Sequence, residues 1–379
     1  MSNIFEMRDV SFRHHPGTPT VLDHFDLEIE EGSRSAILGA NGAGKTTMFY
    51  TLTGVYKPVE GEVLFRGEPL EYTREGLTRV RSDVSVVLQN PDEQMFCSLV
   101  EEDVAFGPLN LGIDRDEIEV RIDKALRDVR MSEFRTRPLQ QLSGGQRKRV
   151  AIAGALAVDP KVLIMDEPTA GLDPQASMEV MELAEKLHLR GVTVLISTHD
   201  VDLAYGWADT VNVIRNGRKV FSGTSEEFYG NNEDVHLCGL LSPSTFNMNR
   251  EISSLRGIPE QPCPRNVCSF LAKFGKGSHR PGRVFCVPYS EGDISSAYEE
   301  ATRDAGDSAR IGVYGSDARF ALGGRKVDFY FDGIDSCFTE AVLGRDTVLF
   351  YDEIFGSTIR EQAETLKAFG SDVVMEVVQ

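Results

Sequence analysis

The run Gly39-Ala40-Asn41-Gly42-Ala43-Gly44-Lys45-Thr46 directly follows the apolar residues Ala36, Ile37 and Leu38. Its spacing, G-x-x-x-x-G-K-T, is what a chain needs to fold its backbone around a phosphate. The glycines let consecutive N–H groups converge, and a helix opening near Lys45 aims its positive end at the same point. Lys45 would then reach the terminal phosphates, and the Thr46 hydroxyl would hold Mg²⁺. Only the order strand, loop, helix delivers this geometry, so the stretch demands an α/β core. A glycine turn with no ligand is the plain alternative, and it loses weight as related features accumulate downstream.

Upstream, Ile4 to Val10 and Val21 to Ile29 alternate with period 2, predicting an antiparallel sheet beside that core. Between them lies Phe12-Arg13-His14-His15-Pro16, where an aromatic ring could stack on a base or His14 could simply occupy a turn. Downstream, Val84 to Leu88 reads as a buried strand delivering Gln89 to its end. The segment from Glu101 to Met131 is mainly helical, with Ile118, Ile122, Leu126 and Val129 at helical spacing. Leu142-Ser143-Gly144-Gly145-Gln146 then opens a small-residue helix and forms a second anion cradle. One triphosphate cannot fill two cradles, so the pattern points to two copies closing on ATP. The strand Val162 to Met165 ends in Asp166-Glu167, suited to a Mg²⁺ ligand and a water-polarising base. After the turn Pro168 to Pro174 and a helix from Met178 to Leu189, the strand Val192 to Ile196 brings His199 to the same sheet edge.

Taken in order, these residues resemble the ATP-binding-cassette (ABC) ATPases over roughly Ile4 to Gly223. The resemblance implies a P-loop core with an antiparallel β subdomain and a helical insert at about 90–160. It also implies a head-to-tail dimer binding two MgATP. On this likeness Gly39 to Thr46, with Thr47, bind the phosphates, and Thr46, Gln89 and Asp166 hold Mg²⁺. Ser143, Gly144, Gly145 and Gln146 contact the partner's nucleotide, and Asp173 joins them. Glu167 is the base, His199 clamps the transition state and Gln89 positions the water. The position where the family usually stacks a tyrosine on adenine falls at His14. Gln89-Asn-Pro-Asp-Glu-Gln-Met-Phe96, Val100 to Gly112 and Ala153 to Ala157 are similar to the ATPase of energy-coupling-factor importers, the cobalt and nickel branch most of all. That likeness implies a second ATPase copy or paralogue, a transmembrane coupling subunit, a substrate-specific membrane subunit and a peripheral place on the cytoplasmic face of the cell membrane. A vitamin importer and a soluble, non-transport ABC ATPase stand as the alternatives.

Composition sets outer limits. The net charge of −19 excludes a sequence-independent nucleic-acid binder, which needs basic surface to displace counterions. No apolar run reaches the roughly 18 residues that span a bilayer, so a membrane role is expected to be peripheral. Six scattered cysteines fit a reducing compartment better than a disulfide framework.

The expected domains are 1–275, including a helical tail with Val267 to Phe274; a linker at 276–283; and a small α/β domain at 284–379 of regulatory character. Its predicted strands include Val327 to Phe331. Asp328, Asp332, Asp335 and Asp352 gather near strand ends and could hold a cation, although solvated loop acids explain them as well. Cys263, Cys268, His279 and Cys286 are a local metal-ligand set whose spacing matches no common zinc pattern.

Overall fold

In a computed structural model, residues 2–275, 280–306 and 308–378 are described. The chain divides into two compact units, 1–180 with 190–242 and 181–189 with 243–379.

The first unit contains two sheets. Strands β1 (Asn3–Phe12), β2 (Leu22–Glu30), β4 (Glu60–Phe65) and β5 (Glu68–Pro69) form an antiparallel sheet in the order β2-β1-β4-β5. In β2 burial alternates from Phe25 to Glu30, as its period-2 sequence requires. The second sheet holds β3 (Arg34–Leu38), β6 (Val84–Val87), β7 (Val162–Asp166), β8 (Thr193–Thr198), β9 (Thr210–Arg215) and β10 (Arg218–Gly223), in the order β10-β9-β3-β8-β7-β6. All neighbours are parallel except β10, which returns antiparallel to β9. β7 and β8 are buried along their whole length, the mark of a parallel sheet covered on both faces. Helix α1 (Lys45–Leu52) leaves the phosphate loop and buries Met48, Phe49 and Leu52 in a core shared with Ile4, Phe5 and Phe25 of the antiparallel sheet and Ile37, Ile164 and Leu195 of the parallel one. The expected insert consists of α3 (Val100–Asn110), α4 (Arg115–Asp128) and α5 (Gly144–Ala157), following α2 (Arg74–Asp83). α6 (Pro174–Leu189) starts directly after Asp173.

The second unit is a parallel sheet of β11 (Arg283–Tyr289), β12 (Arg310–Tyr314), β13 (Thr347–Asp352) and β14 (Val374–Val377), ordered β12-β13-β11-β14. Two features differ from the sequence expectation. Val327 to Phe331 is not a strand: it touches the sheet through a single bridge, Gly312 to Phe329. The division also falls near residue 242 rather than at 276–283. Cys268 and Ala272, on the helix Val267–Phe274, bury in one core with Ile334, Phe338 and Leu366, so that helix belongs to the second unit. Of the expected linker, residues 276–279 lie outside the described residues. The segment Met181–Leu189 of α6 also belongs here. Glu182 accepts a bidentate pair from Arg319, at 2.7 and 3.0 Å, and Lys186 lies 3.0 Å from Asp317 and 3.3 Å from Asp352.

Candidate nucleotide-hydrolysis site

β3, β7 and β8 lie side by side, so their carboxyl ends bring the phosphate loop, Asp166-Glu167 and His199 to one edge, the place where open α/β sheets bind ligands. Gly39 is required there by packing: a Cβ would sit 2.5 Å from the Ile214 carbonyl oxygen of β9. Gly42 and Gly44 hold positive φ, 79° and 109°, the backbone conformation that glycine adopts without strain. Ala43 and Lys45 are buried, whereas Ala40, Asn41, Gly42 and Thr46 face solvent at the loop's mouth and Thr47 is half-buried.

The charged groups interlock. Lys45 Nζ donates to the Gly39 carbonyl at 2.7 Å and stands 3.6 Å from Glu167 Oε1. Thr46 Oγ1 donates to Asp166 Oδ2 at 2.6 Å, and Ser197 Oγ donates to Asp166 Oδ1. Glu167 has φ 46°, in the left-handed region, and its N–H is held by the carbonyl and hydroxyl of Ser197. A strained, doubly anchored backbone fixes where its carboxylate points. His199 Nδ1 lies 2.9 Å from Glu167 Oε2. Glu167 Oε1 is buried and has no hydrogen-bond partner, an acceptor left available for a bound water or substrate. Thr46 and Asp166 supply hard oxygens side by side, the donor chemistry that suits Mg²⁺.

The second cradle stands apart. Ser143 caps α5 by accepting from Gln146 N, and Gln146 Oε1 accepts in return from Ser143 N, a reciprocal pair that extends the helix further upstream than its apolar run suggests. A Cβ on Gly144 would meet nothing within 4 Å, and one on Gly145 only Leu172 Cδ2 at 3.6 Å. Neither glycine is demanded by the fold of the chain that carries it. Both leave a bare, exposed helix N-terminus. Asp173 Oδ1 accepts from Ala176 N at 2.7 Å and so caps α6.

The Gln89 side chain is exposed at the end of β6. Its backbone is held from α5, where Lys148 Nζ donates to the carbonyls of Leu88 at 2.8 Å and Gln89 at 3.0 Å. Burial pushes the Lys148 ammonium down to about 8, against the opposing pull of Asp166 and Glu167. The His14 ring meets Phe12 and Tyr56 edge-on, at 5.3 and 5.5 Å, while Phe12 and Tyr56 stack at 4.7 Å. Ser197, Lys148 and Tyr56 are contributors that sequence reasoning did not assign. A serine in an apolar strand and a lysine in a helix give no local signal of their partners.

The second-unit carboxylates do not form one site. Asp352 is bound by Lys186 and the Ala318 amide; Asp328 accepts from Ile311 N; and Asp335 accepts from Asn266 and Gln362. Among the described residues no group of three His, Cys, Asp or Glu side chains could hold a metal. Cys263, Cys268 and Cys286 are buried, and burial raises the Cys268 and Cys286 thiols to about 12, so they stay protonated. His279 lies outside the described residues.

Asp332 and Asp335 have a thermodynamic signature instead. Burial raises both carboxyls, Glu182 raises Asp332 further, and Asp332 raises Asp335. A carboxyl whose folded pKa lies above its unfolded one carries its full penalty above the folded value, and the penalty declines as pH falls from there toward the unfolded value. Asp335→Asn keeps the oxygen that accepts from Asn266 and Gln362 while removing the buried charge. It is expected to raise the melting temperature of the second unit at pH 8 by roughly a few degrees, the worth of about 1 kcal/mol, with the gain fading toward pH 5. A gain independent of pH, or none, would show that Asp335 carries no such penalty.

The chain matches the ABC transporter family over residues 22–170. It is 43% identical to the energy-coupling factor transporter ATP-binding protein EcfA of Methanocaldococcus jannaschii over 256 residues, 68% of this chain and 91% of the relative. The chain belongs to the ABC transporter ATPases of the energy-coupling factor type. A relative from Methanospirillum hungatei, EcfA2, aligns at 36% identity over 92% of this ATPase and 89% of its own length, so the match extends through the second unit. Among solved structures, CbiO1 of Clostridium perfringens, described as part of the ABC transporter complex CbiONQ, matches 68% of the chain with TM-score 0.57 and 36% identity, and is itself covered completely. A dimeric ATP-binding cassette in a post-hydrolysis state with ADP and phosphate matches 58% of the chain, and 98% of its own, with TM-score 0.54 and 28% identity. The ATPase thus hydrolyses ATP in the service of transport. Among its described residues no helix is long and apolar enough to cross a membrane.

Proposed function

We propose that this ATPase drives an energy-coupling-factor importer for cobalt or nickel ions, working as a dimer with a second copy or paralogue on the cytoplasmic face of the membrane. The observation that carries the ATP chemistry is the pairing of Lys45, Thr46, Asp166, Glu167 and His199 at one sheet edge. The likeness to CbiO1 supports the cobalt assignment. The amides and Lys45 of the loop hold the triphosphate, and the Phe12, His14 and Tyr56 rings offer a face for adenine. Thr46, Gln89 and Asp166 would hold Mg²⁺, which when bound neutralises charge on the phosphate oxygens. Glu167 takes the proton of the attacking water through Oε1, which has no hydrogen-bond partner, while His199 holds the other carboxylate oxygen and faces the γ-phosphate. Ser143, Gly144, Gly145 and Gln146 of the partner complete the site, and closure moves a transmembrane coupling subunit and a substrate-specific membrane subunit.

The second unit is proposed to regulate this cycle. Its support is the helix α6, which starts beside Asp173 and whose Glu182 and Lys186 are bound by Arg319, Asp317 and Asp352.

Cells without cobalt uptake of their own, given this chain together with the membrane proteins that copurify with it, are expected to accumulate radioactive cobalt severalfold above a Lys45→Ala control. Accumulation of a vitamin in place of either metal would overturn the ion assignment in favour of a vitamin importer. Absence of any membrane partner would favour a soluble ATPase.

A further inference from the structure

Lys148 is among the largest fully buried side chains of the chain, yet it is charged and lies on a helix whose neighbouring buried residues are Val150, Ala151 and Ile152. Burying an ammonium costs several kcal/mol unless its protons are taken up. Two are taken up by the carbonyls of Leu88 and Gln89, just past the end of β6, where the parallel ladder with β7 has ended at Val87. A side chain that only filled space would leave those carbonyls unpaired. The same segment is bound elsewhere as well. Gln94 Oε1 accepts from Leu88 N at 3.0 Å, and Gln94 Nε2 donates to Val86 O at 2.9 Å, so one amide replaces a missing strand partner. Next along α5, Arg147 Nε lies 2.8 Å from Asp92 and its Nη1 donates to the Leu142 carbonyl at 2.7 Å. Residues 88–94 are thus held through adjacent residues of the helix that Ser143 caps.

We propose that Lys148 is a positioning residue that fastens the segment bearing Gln89 to the helix bearing Ser143, so that the two phosphate-sensing ends of the chain move as one body. Ser143 and Lys148 are five residues apart on α5, about 7.5 Å along a rigid helix, so a displacement at either is passed to the other. This rests on the roles proposed above for Gln89 and Ser143. It adds a physical link between nucleotide contact in one copy and completion of the site in the other.

The test uses the full chain with Lys148→Met, which keeps an unbranched side chain only one atom shorter and removes its charge and donors. Three quantities are measured: the dissociation constant for ATP, the turnover number, and amide hydrogen exchange over residues 88–94. The expected result is an ATP affinity within about threefold of the parent, turnover lowered about tenfold or more, and exchange about tenfold faster in that segment alone. This splits binding from turnover, which a general loss of fold does not do. Lys148→Arg, with charge and donors retained, is expected to restore both protection and most of the turnover. If the methionine variant does not fold, Lys148→Gln, too short to reach both carbonyls, is read in the same way. Unchanged protection at 88–94, turnover within twofold of the parent, or affinity and turnover falling together would each overturn the proposal. Exchange is measured without hydrolysis. A failed link therefore appears as unchanged protection in an active parent, whereas failure of the ATPase reading appears as a parent that does not turn over.

Discussion

Replacing Glu167 with glutamine is expected to leave ATP binding intact and to cut turnover by a factor on the order of 10² to 10⁴, the usual worth of a general base. Glu167 Oε2 is occupied by His199, but Oε1 is buried without a hydrogen-bond partner and stands 3.6 Å from Lys45. Glutamine preserves the shape of the side chain and one acceptor, so the groups proposed to hold the triphosphate, Lys45 and the loop amides, are untouched. Its amide cannot take a proton. Because binding energy is retained while hydrolysis stops, the variant is also expected to accumulate as an ATP-bound dimer in light scattering. Steady-state hydrolysis and nucleotide binding measured on the same preparation decide the matter. Undiminished turnover would remove Glu167 from the role of base, and a monomer under saturating ATP would count against closure of two copies.

The core of this site was legible in the sequence because each part is a short segment at the end of a strand. An apolar run fixes the strand, the residue after it falls at the sheet edge, and the parallel order places Lys45, Asp166, Glu167 and His199 together. What was not legible depends on contacts between segments distant in sequence. Lys148 reaches Leu88 across sixty residues, and Ser197 reaches Asp166 across thirty-one. Nothing local to either residue marks the partner. In the second unit the sequence pattern places the acids Asp328, Asp335 and Asp352 near strand ends, where they would converge. Once Val327 to Phe331 is irregular, Asp328 turns to the Ile311 amide while Lys186 and the Ala318 amide claim Asp352. The helix Val267–Phe274 is legible as a helix, but the unit it packs into is not. Its apolar positions show that one face must be buried, without showing against what.

The glycines that open α5 lead to the second large effect. Within one chain, alanine fits at Gly145, where the nearest atom to its Cβ would be Leu172 Cδ2 at 3.6 Å. A glycine in a helix costs up to about 1 kcal/mol relative to alanine, and loss of the Ser143 cap costs about the same. The double variant Ser143→Ala with Gly145→Ala is therefore expected to fold with nearly unchanged stability and to bind ATP through its own Lys45 and loop, yet to lose hydrolysis by a factor of about 10² or more. Lys45→Ala alone is expected to be inactive for the opposite reason, since it cannot hold the triphosphate. When the two variants are mixed, each mixed dimer has one site carrying both defects and one carrying neither. With random pairing at equal amounts, half the dimers are mixed and half of their sites are intact, so about a quarter of parental activity is expected to return. Recovery that follows this dependence on mixing ratio requires Ser143 and Gly145 to act on the partner's nucleotide. Complete inactivity at every ratio, with mixed dimers shown to form, would mean either that the cradle serves its own chain or that neither site fires unless both are intact. ATP affinity then separates the two: a cradle serving its own chain loses it in the double variant, whereas coupled sites keep it.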